Sequence, residues 1–467
     1  MIDTAATLDT VRRTLSPRFA PPPTPLRAVL IHGGVTVLWI LLLLRAFGAG
    51  GLLAWSVGLA YVAYDTALVL FVFVQTLPLA RSGTPELLVD RGTLPTLGVI
   101  IAAHNEAASL PATLAALLAQ TSLPDVICIA DDGSTDGTAA LTQGWSGPAL
   151  LWLRLPHGGK ARALNAALAQ MDQELVLTVD ADTLLEPGAI MAMRQAFAAD
   201  PALTAATGVL FPVCGPSLSG RVFQWFQTYE YMRNFLSRYA WARQDGLLLI
   251  SGAFAAYRRT SVLAVGGFDP DCLVEDYELT HRLMDVGARQ GWRTSIVGGA
   301  LAQTEAPSTV PAFLRQRRRW FGGFLQTQLW YRHMIGNPGY GRLGTRMLPV
   351  KALDTMQPVF GLTSIVLLLI SWIRGGSVMP VAGVIGAKIL LDLGFYLWSL
   401  SLYRRWLGPR AQMRLAPAVL AALIEPFSFQ VLRHIGATLG WVSFLTGRRQ
   451  WGAQARATSR VPEVKMG

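Results

Sequence analysis

Two apolar runs in the middle of the chain each end in residues with carboxylate side chains. The run DVICIAD ends in Asp131 and is followed by Asp132 and a Gly-Ser-Thr-Asp stretch, and ELVLTVD ends in Asp180, with Asp182 two residues further on. A carboxylate at such a point can accept hydrogen bonds from a nucleobase N–H or a ribose hydroxyl. Because D-D-G-S is also ordinary turn chemistry, the first pair alone leaves a structural and a nucleotide-binding interpretation open.

The sequence Asp180-Ala181-Asp182 is typical of a site for a divalent metal. Carboxylate oxygens of this kind suit Mg²⁺ or Mn²⁺ holding a diphosphate. The alternative is that Asp182 caps a helix beginning near Pro187. That alternative gives Asp180 no role, so the sequence favours the metal.

Two further motifs place charged side chains at helix starts. In HGGKARALNAAL, glycines open a helix with Lys160 in its first turn, where backbone amides, the helix dipole and an ammonium favour an anion. The spacing differs from a Walker motif. In GGFDPDCLVEDYELTHRL, Glu275 and Asp276 stand where a loop meets a helix, within reach for a general base. Acidic residues are also common in first turns for dipole reasons alone.

A basic and aromatic segment follows before the chain becomes strongly apolar again. It runs Gln316-Arg317-Arg318-Arg319-Trp320. Arginine binds phosphate and an indole stacks on sugar faces. A juxtamembrane basic patch contacting anionic lipid would explain the arginines, but it would leave Gln316 and Trp320 without a role.

The elements that position these motifs alternate between strands and helices. From about residue 93 to 300, the runs LGVIIAA, DVICIAD, ALLWLRL and ELVLTVD are separated by alanine- and leucine-rich stretches. This βαβ pattern predicts an α/β domain with a parallel sheet. Ligands bind beyond the carboxyl ends of the strands in such sheets, which is where the polar motifs fall.

The chain as a whole is too apolar for an ordinary soluble enzyme. Hydrophobic residues make up 52% of the 467 residues and charged residues 15%. Apolar runs long enough to span a bilayer predict four transmembrane helices: 27–48, 52–79, 346–373 and 378–403. The first 26 residues lack the pattern of a cleaved signal peptide. Arginines before the first helix and after the fourth place both flanks and the domain between them in the cytoplasm.

One segment near the C-terminus is harder to interpret. Residues 415–446 are apolar but carry Glu425 and Arg433, and a charge at mid-bilayer costs about 2.5 to 3.5 kcal/mol. We therefore expect an interfacial or re-entrant segment. In the fourth helix, Lys388 and Asp392 stand four residues apart on one face. They predict a structural ion pair, with the alternative that they line a path for a polar product.

Other site classes are excluded by composition. The three cysteines are widely separated, which argues against a zinc site or a disulfide framework and fits a reducing compartment. The net charge of +11 lies largely in arginines beside apolar runs, and no recognition motif accompanies it. The sequence therefore predicts no nucleic-acid partner.

Taken in order, DDGS, GKARALN, D-A-D, E-D and Q-R-R-R-W resemble the signature of family 2 glycosyltransferases over residues 95–322. The resemblance is to the membrane-bound branch of cellulose, chitin, hyaluronan and poly-N-acetylglucosamine synthases. It implies a GT-A-like, Rossmann-related catalytic domain on the cytoplasmic face of the inner membrane, inserted between transmembrane helices. It also implies an inverting transfer from a UDP-sugar to a polysaccharide.

The resemblance also implies roles for particular residues. The donor nucleotide sugar would be held by Glu106, Asp131, Asp132, Lys160 and Asp180. Asp182, with Asp180, would hold Mg²⁺ or Mn²⁺, and Asp276, beside Glu275, would deprotonate the acceptor hydroxyl. Gln316, Arg319 and Trp320 would bind the acceptor end and the donor phosphates.

The sequence departs from the family at two points: Val274 stands where Thr is common, and His104 replaces a common Tyr. Both departures concern the preferences for acceptor and base. No cyclic-dinucleotide domain of the cellulose-synthase kind is present in the sequence, so the shorter poly-N-acetylglucosamine and hyaluronan-like synthases fit better. One alternative function is transfer of a single sugar to a lipid, and another is a non-catalytic export or scaffold subunit. Export partners, sugar and linkage do not follow from the sequence.

These expectations divide the chain into six parts. The catalytic domain takes residues 80–322, between helix pairs at 27–79 and 346–403. The remaining parts are a cytoplasmic segment at 1–26, an interfacial amphipathic segment at 323–345, and a C-terminal region at 404–467 with a basic tail.

Overall fold

A mixed sheet of eight strands forms the centre of the protein. The computed structural model describes residues 4–48, 51–80, 94–142, 147–375, 379–407 and 415–447. The strand order across the sheet is β3-β2-β1-β4-β7-β6-β8-β5. The strands are β1 (Leu97–Ala103), β2 (Val126–Asp132), β3 (Ala149–Leu155), β4 (Leu175–Asp180), β5 (Thr183–Leu185), β6 (Leu203–Val213), β7 (Phe254–Arg258) and β8 (Arg293–Glu305).

The four predicted strands are confirmed as β1 to β4. They pair in parallel, with Ile100 opposite Cys128 and Thr178 in neighbouring strands. The interiors of β1, β2 and β4 are almost fully buried because both faces are covered, which is why they are continuous apolar runs. The carboxyl ends of these strands therefore lie at one edge of the sheet.

The second half of the sheet is not purely parallel. Strand β7 pairs antiparallel with β4 and β6, so the loop before β7 reaches the same edge as the end of β4. Strands β6 and β8 pair in parallel, and β5 is antiparallel to β8. The sequence prediction of a parallel sheet is therefore correct only for its first half.

Fifteen α-helices occur among the described residues. Those in or against the sheet domain are α1 (Thr4–Leu15), α4 (Leu110–Leu118), α5 (Lys160–Leu168), α6 (Ala189–Ala199), α7 (Leu218–Ala242), α8 (Arg259–Ala264), α9 (Glu275–Gly287) and α10 (Val310–Trp330). Those of the apolar regions are α2 (Leu26–Gly48), α3 (Ser56–Thr76), α11 (Leu348–Asp354), α12 (Gln357–Ile373), α13 (Met379–Leu407), α14 (Leu415–Ile424) and α15 (Phe429–Leu445).

Four helical segments are long and apolar enough to cross a membrane, at both ends of the chain. They are Leu26–Phe47, Leu52–Ala80, Leu343–Ile373 and Met379–Trp406, close to the four predicted spans. Lys388 on α13 pairs with Asp392, as expected, and its Nζ also lies 2.6 Å from Asp65 Oδ2 on α3. A three-residue ion cluster therefore joins two of these segments.

Helices α14 and α15 form a bent pair, with 46° between them. Glu425 lies at the bend and is buried. Arg433 Nη2 lies 2.8 Å from Glu425 Oε1, and Arg233 of α7 pairs with the same carboxylate. Pairing lowers the cost of placing both charges in an apolar segment. A re-entrant loop and a broken span both have this shape, so the interfacial or re-entrant segment at residues 415–446 stays a prediction.

Two of the six predicted parts do not coincide with elements that the structure describes. The predicted boundary at 322/323 falls inside the continuous helix α10. The basic C-terminal tail beyond residue 447, together with Arg410 and Arg414, lies outside the described residues.

Glycines on α15 allow α10 to pack closely against it. A Cβ at Gly440 would lie 2.5 Å from Phe321 Cβ and 2.9 Å from Gly322 N. We expect Gly440→Ala to destabilise the protein by about 1–3 kcal/mol through overpacking, measured as a fall in Tm in detergent. Gly394→Ala on α13 is the control, since nothing lies within 4 Å of its Cβ. An equal Tm for both variants would contradict close packing of α10 on α15.

Candidate active site

Three predicted residues fix loops at the carboxyl edge of the sheet. Asp131 Oδ1 accepts a hydrogen bond from Ser134 N at 2.9 Å, within the D-D-G-S turn. The Asp132 carboxylate accepts from Gly158 N at 2.7 Å and Gly159 N at 2.9 Å. Glu106 Oε2 accepts from Ser109 Oγ at 2.5 Å at the start of α4. The turn-chemistry interpretation of D-D-G-S therefore holds for Asp131, while Asp132 ties the end of β2 to the glycines before Lys160.

The D-A-D sequence spans a turn between two strands. Strand β4 ends at Asp180, residues 181 and 182 form the turn, and β5 begins at Thr183. The helix-cap alternative for Asp182 is wrong, because the next helix begins at Ala189 and its cap is Gly188. Thr183 Oγ1 and Thr304 Oγ1 lie 3.4 and 3.5 Å from Asp182 Oδ1. Two carboxylates at one turn fit the oxygen ligands of Mg²⁺ or Mn²⁺.

Lys160 brings three of the predicted motifs together. Its Nζ lies 2.5 Å from Asp180 Oδ1 and 3.7 Å from Glu275 Oε1. Burial lowers the pKa of Lys160, but the neighbouring charges of Asp180 and Glu275 prevail and raise it above its ordinary value. The ammonium is therefore a fixed positive charge between the end of β4 and the start of α9.

Glu275 is a buried carboxyl at the start of α9. Its Oε2 finds no hydrogen-bond partner among the described residues. Burial raises the pKa of Glu275; Lys160 opposes this increase and the charge of Asp276 adds to it. A raised carboxyl pKa means that ionising Glu275 costs stability in the folded protein.

This raised pKa predicts how stability depends on pH. Stability contributed by Glu275 is fully present below its ordinary pKa of 4.5 and is lost as pH rises through the folded value. Gln resembles the protonated acid, so we expect the Tm of Glu275→Gln to rise relative to wild type as the pH is raised above the ordinary carboxyl pKa. Glu174→Gln, at an exposed position, is the control. A difference in Tm that stays flat or shrinks with pH would contradict the raised pKa.

Asp276 is held by backbone amides on both oxygens. Oδ2 accepts from Gly252 N at 2.7 Å and Oδ1 from Tyr277 N at 2.8 Å. Gly252 lies in the loop before β7, where a Cβ would come within 3.0 Å of Asp276 Oδ2. The carboxylate is thereby fixed in orientation, and each oxygen keeps a further lone pair for an acceptor hydroxyl.

The Q-R-R-R-W motif lies within helix α10. Arg319 Nη1 donates to Leu273 O at 3.2 Å, two residues before Glu275. Gln316 Oε1 is buried without a hydrogen-bond partner among the described residues. Trp320 packs against a hydrophobic cluster that includes Val274 and Tyr277. The structure thus brings Arg319 to the Glu275 region. Glu106 and Asp131 accept hydrogen bonds from Ser109 and Ser134, each three residues further along the chain.

Sequence reasoning missed Arg317. This arginine is buried, with Nη2 2.8 Å from Glu230 Oε2, and its guanidinium lies 4.5 Å from the centre of the Trp320 ring. A solvated lipid-binding patch therefore does not describe it. The partner Glu230 stands 87 residues away, so no local pattern could have indicated the pair.

The N-terminal helix docks beside the loop that leads into α9. Arg12 Nη1 donates to Phe268 O at 3.2 Å, and Arg18 Nη1 lies 3.3 Å from both oxygens of the buried Asp269. Asn165, the last residue of GKARALN, also pairs with Phe268, donating to its carbonyl at 2.8 Å and accepting from its amide at 2.7 Å. This loop is therefore held from two sides before it reaches Glu275.

We expect Arg18→Gln to destabilise the protein by about 2–3 kcal/mol. The variant leaves the Asp269 carboxylate buried without its cation, although partial exposure of Arg18 reduces the effect. The free energy of unfolding, or Tm in detergent, would measure this. Arg13→Gln on α1, where the arginine is 61% exposed, should change little. Equal Tm values for the two variants would show that the contact of Arg18 with Asp269 contributes no stability.

The comparisons with known proteins agree with this architecture. A family model described as "Glycosyltransferase like family 2" matches residues 95–323. A poly-β-1,6-N-acetyl-D-glucosamine synthase of Staphylococcus aureus is 28% identical over 273 residues, covering 58% of this chain and 61% of that protein. An N-acetylglucosaminyltransferase of Mesorhizobium japonicum is 30% identical over 286 residues, covering 57% and 63%. The chain thus matches less than two thirds of the length of either relative.

A solved structure shows the same fold. It is a mannosyltransferase from Pyrobaculum calidifontis in complex with GDP-mannose and Mn²⁺, with a TM-score of 0.56 and 20% identity, covering 80% of this chain and 99% of that one. The GT-A-like fold that the sequence predicts is therefore confirmed. Residues 95–323 of this chain thus match the model of family 2 glycosyltransferases and adopt a GT-A-like fold.

Proposed function

We propose that the protein transfers a sugar, with inversion, from a UDP-sugar to a growing polysaccharide at the cytoplasmic face of the inner membrane. The observation that carries the proposal is the cluster of Lys160, Asp180 and Glu275, with Asp276 oriented beside it. These charged groups lie at the carboxyl edge of the sheet, where α/β folds bind their ligands. The similarity to a poly-N-acetylglucosamine synthase supports a polymer of amino sugar.

The chain's residues supply a base and a fixed positive charge. Asp276 accepts the proton of the acceptor hydroxyl, whose oxygen then attacks the anomeric carbon, and the bond to the departing diphosphate breaks. Lys160 and Arg319 neutralise charge on that diphosphate. One displacement with one base inverts the anomeric centre. This differs from a glycosidase, which uses two carboxylates.

Asp180 and Asp182 would hold the divalent metal. A bound Mg²⁺ or Mn²⁺ would supply positive charge to the diphosphate oxygens, so the leaving group needs no proton. Because Lys160 pairs with Asp180, the ammonium shares the negative charge of this turn and limits repulsion between the two carboxylates. Glu106, Asp131 and Asp132 would shape the nucleotide end, and Gln316 and Trp320 the acceptor end.

The distribution of arginines and the lengths of the apolar helices support the proposed membrane placement. Arginines near the first apolar helix and after α13 favour a cytoplasmic catalytic domain by the positive-inside bias. The ion pair of Lys388 and Asp392 is proposed as structural, because Asp65 completes it from α3. Lipid is therefore a partner of the protein. The six-part division of the chain remains part of this proposal.

A single transfer to a lipid acceptor is the main alternative. The Q-R-R-R-W motif favours polymerisation by its resemblance to processive synthases. A non-catalytic scaffold is disfavoured because Asp182 and Asp276 are both present.

Turnover with a panel of UDP-sugars tests the proposal. Purified, detergent-solubilised protein is incubated with each donor and with Mg²⁺, Mn²⁺ or a chelator, and UDP release is measured. We expect metal-dependent release with one donor, UDP-N-acetylglucosamine being the first to try. An absence of UDP release with every donor and acceptor would leave the scaffold alternative.

A further inference from the structure

Two histidines and an aspartate meet beyond the ends of three neighbouring strands. His104 follows β1, Asp132 ends β2 and His157 comes two residues after β3. One possible ligand atom from each lies within 4.8 Å of the others. The two imidazole centres are 4.5 Å apart, with their planes inclined by 32°. The proposed transfer uses neither imidazole.

The backbone holds these three residues in place. Asp132 binds the amides of Gly158 and Gly159, the two residues after His157. Gly133 has a φ of 73° and approaches His157 so closely that a Cβ would lie 2.9 Å from its amide nitrogen. The turn after β2 therefore lies directly against the loop after β3. Ligands on such fixed elements need little rearrangement to converge.

Hydrogen bonds also select the imidazole tautomer. His104 Nδ1 lies 2.8 Å from the carbonyl oxygen of Asp132, and His157 Nδ1 lies 3.1 Å from the same oxygen. A carbonyl only accepts, so Nδ1 carries the hydrogen in each neutral ring and Nε2 keeps its lone pair. Histidines that bind metals usually donate their other N–H to a carbonyl or carboxylate in this way.

The remaining contacts allow an ion to enter. The His157 side chain is 66% exposed, and its Nδ1 also lies 3.0 Å from Asp132 Oδ2. His104 Nε2 lies 3.3 Å from Asn105 Nδ2, a contact that a metal would displace. Zinc with ligand bonds of about 2.0–2.1 Å needs its ligand atoms roughly 3.4 Å apart, so ligand atoms that lie within 4.8 Å of one another must approach further as the ion binds.

The chemical types of the three ligand side chains determine which metal ions they can bind. Imidazole nitrogens suit Zn²⁺ and similar transition metals, whereas Mg²⁺ takes oxygen ligands. Two histidines and one carboxylate leave a fourth position open, as in zinc sites with three protein ligands. The site is therefore distinct in chemistry from the D-A-D turn.

We propose that His104, Asp132 and His157 form a second metal site, selective for Zn²⁺ and similar ions, whose occupation closes the nucleotide end of the donor pocket. The closing effect rests on the proposed function, because Asp132 is assigned there to the nucleotide. The metal site itself does not depend on that assignment.

Binding is tested with Co²⁺, whose visible absorption is strong when it is bound tetrahedrally by imidazole. The purified full-length chain is titrated in excess Mg²⁺, and Zn²⁺ is then added to displace the Co²⁺. We expect a stoichiometric band in wild type and its loss in His157→Asn. The band should survive in Asp182→Asn and in His333→Asn, which removes the histidine beside Asp285. Absence of the band in wild type, or its survival in a folded His157→Asn, would overturn the site.

The closing effect is tested by calorimetric titration of UDP with and without Zn²⁺. We expect Zn²⁺ to weaken UDP binding at least tenfold in wild type and not in His157→Asn. Equal UDP affinity with and without Zn²⁺ would overturn the closing effect while leaving the metal site. If UDP does not bind even without Zn²⁺, the proposed function and the closing effect both fail, and the Co²⁺ titration alone decides the metal site.

Discussion

Asp276→Asn is expected to lower the rate of sugar transfer about 10²- to 10⁴-fold, the usual contribution of a general base. An amide cannot take the proton of the acceptor hydroxyl. The variant keeps a carbonyl oxygen for the Gly252 amide but loses one backbone hydrogen bond, so Tm should fall only slightly. Initial rates of UDP release at saturating donor and acceptor measure the effect.

The control for this variant is Asp172→Asn, whose carboxylate is 96% exposed and far from the sheet edge. Its kcat should equal that of the wild type. We expect the KM for the donor to change little in Asp276→Asn, because the residue is assigned to the acceptor. Near-normal kcat in the folded variant would remove Asp276 as the base and leave Glu275 as the nearest carboxyl to test.

Asp182→Asn is expected to lower transfer about 10²- to 10³-fold, since a metal supplies several kcal/mol to the departing charge. The Mg²⁺ or Mn²⁺ concentration needed for half-maximal rate should rise at the same time. The helix-cap alternative predicts instead a loss of stability with normal metal dependence, and the strand that follows Asp182 already argues against it.

A titration of metal against initial rate distinguishes these outcomes. Wild type, Asp182→Asn and Asp172→Asn are compared at the same donor concentration. Unchanged metal dependence in Asp182→Asn would mean that the ion binds elsewhere. The Tm of each variant shows whether a lower rate arises from lost folding.

The sequence predicted the part of the fold that local patterns encode. Strands β1 to β4 are continuous apolar runs because helices and other elements cover both faces. Strand β6 was not predicted: it contains the stretch Leu-Thr-Ala-Ala-Thr-Gly, whose small residues carry little strand preference. Strand β5 has three residues and depends on pairing with β8, in which Ala302 pairs with Leu185 from 117 residues further along the chain. Only tertiary pairing defines such elements.

In the candidate site, too, the sequence indicated some contacts and not others. Motif order indicated that Lys160, Asp180 and Glu275 would meet, and the distances agree. The pairing of Arg317 with Glu230 and of Arg18 with Asp269 joins residues far apart in the chain. The composition of the chain does not indicate which distant residues form such pairs. The hydrogen bonds of Asp132 to the glycines after β3 likewise depend on how two loops pack.

The size of the product distinguishes polymer synthesis from the transfer of a single sugar. Purified protein is given labelled donor in large excess for a short time, and the product is separated by length and by solubility in organic solvent. We expect long, water-soluble, metal-dependent chains formed while most acceptor is still unextended, and about 10²- to 10⁴-fold less product in the same time with Asp276→Asn. A lipid-soluble product carrying a single sugar would contradict polymer synthesis and establish the single-transfer alternative.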